Sequence, residues 1–311
     1  MNSPYWFDDL PVIGKMSPTQ AAKKLMELRE KEAAQALEQI QHKKPAQAAM
    51  FGTRLLWPFH NRSWQHTAHA FGYFGTNTKR SGVFRIEHAG NISPDNSLKN
   101  SRIKITLDCI RVADYPGFGE HLILFDFYAQ NQLPRNTEHL HFNITCRALE
   151  GERAAIIGYP IFVGLNVGRE GVAFKCFTVN VKNKKDETFL SFMESDIFRS
   201  GLKLASTIQP AIGPLSGMAV AITKAIACRY RNVPIQDFYM GLDFSNIPTR
   251  ARLSEGSYIA VQIPEKDVSI WDWSKWVYNP DNANIVNKDN KSELIPFNYI
   301  VFSISRHEQQ E

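Results

Sequence analysis

Residues 122–146, LILFDFYAQNQLPRNTEHLHFNITC, decide the fold. Leu122 to Ala129 is apolar on both faces. His139 to Cys146 alternates, with Leu140, Phe142, Ile144 and Cys146 on one side and His139, His141, Asn143 and Thr145 on the other. A polar connection from Gln130 to Thr137, containing Pro134, joins them, so the pair reads as a β-hairpin.

Strand signals continue outward from it. Upstream, Ile103, Ile105 and Leu107 alternate with polar residues, after which Ile110 and Val112 carry the apolar phase; that slip predicts a bulge near Cys109. Tyr115-Pro116-Gly117 is a turn. Downstream, Ala154 to Val167 is broken by Gly158, Pro160 and Gly164 and reads as a bent or edge strand. Val172 to Val181 reads as a strand whose phase shifts beside Cys176, and further strands follow at Phe238 to Phe244, Ser257 to Ile263, Trp276 to Tyr278 and Asn298 to Ser305. Roughly eight to ten short strands without strand–helix–strand alternation imply an α+β chain, predominantly an antiparallel β-sandwich.

Two helical features interrupt this pattern. Ser17-Pro18-Thr19-Gln20 offers an N-cap, a proline at the first helical position and a Gln three residues after the cap, predicting a helix to about Gln41. Its narrow stripe of Ala22, Leu25, Met26, Ala33, Leu37 and Ile40 suits docking, and Met26, Leu37 and Ile40 are candidate partner contacts. The second feature is residues 189–229, FLSFMESDIFRSGLKLASTIQPAIGPLSGMAVAITKAIACR. Ile197, Phe198, Leu202, Leu204, Ala205 and Ile208 outline an amphipathic helix; Pro210 and Pro214 break it, and a nearly all-apolar second helix runs to about Cys228 with Lys224 its only charge. The expectation is a helical hairpin over about residues 195–228, inserted between two strands. Leu215, Met218, Ile222 and Ile226 are its candidate oligomer or membrane contacts. The second helix is too short to span a bilayer, which takes roughly 20 apolar residues. The domain reading is an extended lead and docking helix over 1–50, then one sandwich domain over 51–311 carrying the insertion 189–229.

Composition narrows the function. Hydrophobic residues make up 43% of 311, enough to bury a core without disulfides or a structural metal. Net charge is +5, but 36 Lys and Arg are scattered among 31 Asp and Glu, which argues against a nucleic-acid partner. Cys109, Cys146, Cys176 and Cys228 fit no CxxC or zinc-finger spacing and read as reduced thiols. The start MNSPYWFDDLPVIGK lacks the pattern of a signal peptide, so a cytoplasmic setting is expected. There is no Walker A loop or G-x-G-x-x-G, and Gly213-Pro-Leu-Ser216-Gly217 lacks the spacing of a nucleophile elbow. No cofactor is implied.

Three constellations remain. His139 and His141 share one side of a strand and would bind a metal if His121, Asp126 or the group His60, His66 and His69 supplied a third ligand. In that group Ser63 is placed to cap a short helix bringing His66 and His69 to one face. Asp108, Asp114, Glu120 and Asp126 bracket the Tyr115 to Gly119 turn as oxygen donors for calcium. Trp271 and Trp273 fall on one side of an extended segment, as buried anchors or as an exposed aromatic pair for a partner. The expected function is a non-catalytic binding or assembly protein that works through protein contacts, with a protein partner or a second copy of itself. A membrane-acting protein using the hairpin and a metal-dependent hydrolase using the His-x-His pair are the alternatives.

Overall fold

The computed structural model describes residues 6–41, 62–75, 79–80, 82–133, 135–194, 201–204, 212–247 and 249–308. Among these, the helices are α1 (Pro18–Glu27), α2 (Lys31–Gln41), α3 (Lys184–Leu190) and α4 (Ile212–Ala227). The strands are β1 (Ala68–Phe74), β2 (Lys79–Arg80), β3 (Val83–Arg85), β4 (Glu87–His88), β5 (Arg102–Arg111), β6 (His121–Leu133), β7 (Asn136–Ala148) and β8 (Tyr159–Asn166). They continue as β9 (Val172–Val181), β10 (Leu202–Lys203), β11 (Asn232–Asp243), β12 (Ala251–Arg252), β13 (Gly256–Ile263), β14 (Trp276–Asn279), β15 (Asn284–Asn287) and β16 (Tyr299–Arg306).

Two sheets face each other. One runs β10-β8-β5-β16-β13-β1-β4 and the other β12-β11-β9-β6-β7; a four-stranded sheet, β15-β14-β3-β2, packs on the outer face of the first. Pairing is antiparallel except at β10–β8 and β11–β12. The class is therefore α+β with a predominantly antiparallel sandwich. The hairpin of β6 and β7 holds register from His121↔Ala148 to Leu133↔Asn136, so the strands run further and the connection is shorter than the polar stretch 130–137 suggested. The bulge falls between Leu107 and Cys109 opposite β16, and beyond it Ile110 and Val112 take over the core face. The phase change beside Cys176 has a different cause. β9 pairs with β6 without a bulge and is buried on both faces, Phe174 and Cys176 inward and Phe177, Val179 and Val181 outward.

Phe127 ties the main core together, its ring 5.9 Å from Phe162 of β8, 5.3 Å from Phe174 of β9 and 5.8 Å from Phe302 of β16. The N-terminal helix is two helices. Ser17 and Gln20 form the expected capping box, but Arg29 adopts a φ of 68° and separates α1 from α2. Leu25, Leu28, Ala33, Ala34 and Leu37 all enter the main core, so this pair is built into the sandwich. A second apolar layer lies on the outer face of the five-stranded sheet, where Leu122, Leu124, Tyr128, Phe177 and Val179 meet Trp6, Phe7 and Val12 of the lead, Leu190 of α3, Met193, and Ile226 and Ala227 of α4. A third lies beneath the four-stranded sheet and includes Trp273.

The insertion departs from a simple hairpin. Its second helix is present as α4. Residues 195–200 and 205–211 lie outside the described residues, and Leu202–Lys203 between them runs extended as β10, paired to Phe162 and Val163 of β8. β8 and β7 would otherwise be open edges, each an unpaired row of backbone groups. The insertion covers both, β10 along β8 and α4 over β7.

Candidate functional site

The row His139, His141, Asn143, Thr145, the polar side of β7 in the sequence, faces α4. Beside it on β6 stands Asp126, the single charge in Leu122 to Ala129. Asp126 and His141 are both buried. His141 Nδ1 lies 2.7 Å from one Asp126 oxygen, and Thr223 Oγ1 of α4 donates to the other at 3.0 Å. Asn143 Nδ2 donates to the Ala219 carbonyl at 2.9 Å and to Thr223 Oγ1 at 3.2 Å. The backbone N–H of His141 on edge strand β7 donates to Ser216 Oγ at 3.1 Å. Ser216 and Thr223 are seven residues apart, two helical turns, so one face of α4 carries both hydroxyls into this seam.

The lead closes the seam. Trp6 stacks on His141 with centroids 6.0 Å apart, Phe7 meets it edge-on at 5.7 Å, and Tyr128 lies at 5.0 Å. Trp6 is held by its indole N–H on Asp237 at 3.3 Å and by the Lys175 ammonium 4.9 Å over its ring. His139 sits at the seam's margin with Nδ1 2.6 Å from the Tyr128 hydroxyl, and its pKa is lowered first by burial and then by His141.

α4 is thus apolar on both sides. Its buried face holds Ser216 and Thr223 among Ile212, Ala219, Ile226 and Ala227, while Gly213, Pro214, Leu215, Gly217, Met218, Ala221 and Ala225 are exposed. Leu215 is 46% exposed and Met218 53%. Lys224, at the margin of this face, pairs with Asp9 at 3.6 Å. At the C-terminal end of α4 the apolar band runs into a groove of about 750 Å³ whose lining includes Leu10, Met16, Met26, Ala227, Cys228 and Tyr230.

The expected site residues divide sharply against this geometry. Leu215 and Met218 are on the outer face and Ile222 is half-buried at its margin, but Ile226 points inward and is covered. Met26 is exposed in the groove; Leu37 is buried in the chain's own core, which corrects its reading as a partner contact. The Ile40 side chain lies outside the described residues. Trp273 is buried under the four-stranded sheet and Trp271 is half-buried against it at 5.6 Å, so the two do not form an exposed pair.

The metal set does not assemble. His121 pairs with Ala148 while His141 pairs with Tyr128, seven residues along β6 and roughly 23 Å away at strand rise. Among the described residues no group of three His, Cys, Asp or Glu is placed to hold a metal ion. His66 and His69 do not share a helix either, since Ser63–Gln65 is a single 3-10 turn and His69 lies in β1 against Phe238; His60 lies outside the described residues.

The calcium quartet is likewise dispersed. Asp114 takes Arg62, Glu120 takes Arg147, Asp108 takes the Thr106 hydroxyl and Asp126 is under α4. Lys182 points its ammonium into the loop and donates to the carbonyls of Phe118 at 2.8 Å and Glu120 at 2.6 Å. The thiols of Cys109, Cys146 and Cys176 are buried, and burial pushes Cys109 up to about 12, whereas Cys228 is exposed beside the groove.

No family model, curated protein or solved structure matches this chain. The site therefore rests on its own geometry. An imidazole bound to a carboxylate suggests acid–base work, but both groups are sealed under α4 and the Ser216 hydroxyl is engaged by the His141 backbone. What the arrangement does is dock a helix through two hydroxyls set among apolar residues, leaving a second apolar side outward. Ser216 and Thr223 were missed in the sequence; the usable signal was one lone carboxylate in a doubly apolar strand and two hydroxyls two turns apart.

Proposed function

We propose that the protein is a non-catalytic assembly module whose working surface is the outer face of α4, and that it meets a second copy of itself there. The observation that carries this is the second, outward apolar face of α4, present in addition to the face it buries. A surface helix ordinarily turns its polar side to water and its apolar side to the core, and contiguous exposed apolar surface marks a contact site. Here two hydroxyls are spent inside and Leu215, Met218, Ala221 and Ala225 are presented outside. Among the described residues no helix is long and apolar enough to cross a membrane, and the buried, unbridged thiols support a reducing, cytoplasmic setting.

Alkylation of Cys228 tests the reading, because this exposed thiol borders the band while the other three cysteines are buried. Its rate should fall at least severalfold as protein concentration rises from nanomolar to tens of micromolar. Leu215→Asp should remove that dependence. A rate independent of concentration in the wild-type chain contradicts the reading.

A further inference from the structure

Resting on that reading, we infer that the two copies meet with their α4 helices antiparallel, the N-terminal half of each lying against the groove at the C-terminal end of the other. The two ends of the helix differ in shape. Leu215 and Met218 project from the first half, whereas the second half presents Ala221 and Ala225 and then opens into the groove lined by Met16, Met26, Cys228 and Tyr230. A closed pair of identical chains has a twofold axis and a self-complementary interface. With parallel helices, projecting ends meet projecting ends and the grooves face each other empty. With antiparallel helices each projecting end meets a small-residue surface or a groove on its partner, and opposite ends of the helix macrodipoles lie side by side.

Area points the same way. A 16-residue helix is about 24 Å long and roughly 10 Å across, a projected footprint of about 240 Å². A stable interface takes about 800 Å² of accessible surface from each partner. The helix alone falls short, so the groove and its rim of Met26 and Tyr230 have to take part, and antiparallel packing engages them twice. Charge at the contact is sparse: Lys224 is α4's single charge and is paired with Asp9, Lys24 at the groove is paired with Glu27 at 3.1 Å, and the exposed Lys23 stands on the groove lining.

Matching the projecting half to the groove places the twofold near Ala221. Met218 of one copy then faces Ala225 of the other, while Met218 and its own symmetry mate stand roughly 10 Å apart along the helix. Within one chain residues 218 and 225 are also about 10 Å apart, beyond the Cα separation of roughly 7 Å that a disulfide tolerates. The experiment is oxidative cross-linking in a Cys228→Ser background, comparing Met218→Cys, Ala225→Cys and the double variant, all at exposed positions. The double variant should form a covalent dimer at least tenfold faster than either single variant. Equal rates for the single variants and the double would show a parallel or unrelated pairing and overturn the inference. So would the absence of cross-linking in a sample that light scattering shows to be dimeric, which leaves self-association standing. A monomer by light scattering removes both.

Discussion

Asp126 is the residue on which α4's docking turns. It accepts from His141 and Thr223 while fully buried, so truncating it strands both donors. Asp126→Ala should cost about 1–3 kcal/mol for each buried donor that loses its acceptor, read as a drop in the urea midpoint at unchanged slope. A loss below about 1 kcal/mol would mean that water has already reached the seam. His121, at the other end of β6, contributes to the pH dependence of stability. Burial, with Lys182 nearby, lowers its pKa to about 4, so the folded chain keeps it neutral while the unfolded chain protonates it near 6.5. Between those values the unfolded state binds the extra proton, and stability rises with pH. The contribution, roughly 3 kcal/mol at one kcal-scale step of 1.36 per unit, is fully present above pH 6.5 and lost on acidification toward pH 4. His66 and His69 are also lowered to about 4 by burial, so His121→Gln should reduce the dependence of the urea midpoint on pH across that window by roughly a third; an unchanged slope would contradict a part for His121. Neither role was readable from spacing. Asp126 was visible only as a lone carboxylate and His121 as a possible ligand, because what each faces is set by pairings across the sheet and by a helix some 90 residues away.

At the scale of elements, the β6–β7 hairpin was legible because a period of two in residues 140–146 admits a single inward face. The same logic leaves the other face open, since a polar row reads identically whether it meets water or the hydroxyls of a helix. α4 shows the converse: its nearly all-apolar surface signalled burial, but Ser216 and Thr223 rather than its leucine and methionine settle which side goes in. The amphipathic pattern around Leu202 and Leu204 did not yield a helix over 201–204, because an edge strand, β8, offered the backbone a partner. Thr223→Val, removing a donor from Asp126 and an acceptor from Asn143, should cost about 1–3 kcal/mol. Together with Ser216→Ala it should speed amide exchange across α4 by an order of magnitude or more while leaving β5 and β16 protected, since 1.4 kcal/mol is tenfold. Uniform loss of protection in both sheets would show that α4 does not open separately.

Across the whole molecule, one insertion both closes the sandwich and turns an apolar surface outward. β10 and α4 cover two of the sandwich's edges, those of β8 and β7, and the outer face of the helix is the surface proposed for the contact between copies. The polar seam is consistent with this use: hydroxyls, a carboxylate and an imidazole orient the helix, and its apolar atoms remain for the interface. The most direct test is the molar mass by light scattering from below 1 μM to above 50 μM, for the wild-type chain and for Leu215→Asp/Met218→Asp. Both substituted positions are exposed, so the variant should keep the wild-type unfolding midpoint to within roughly 0.5 kcal/mol. The expected result is a wild-type mass rising from 35.4 kDa toward twice that value, with the variant held at 35.4 kDa throughout. A wild-type chain that stays at 35.4 kDa across the range, or a variant that associates as well as it does, would contradict self-association through α4.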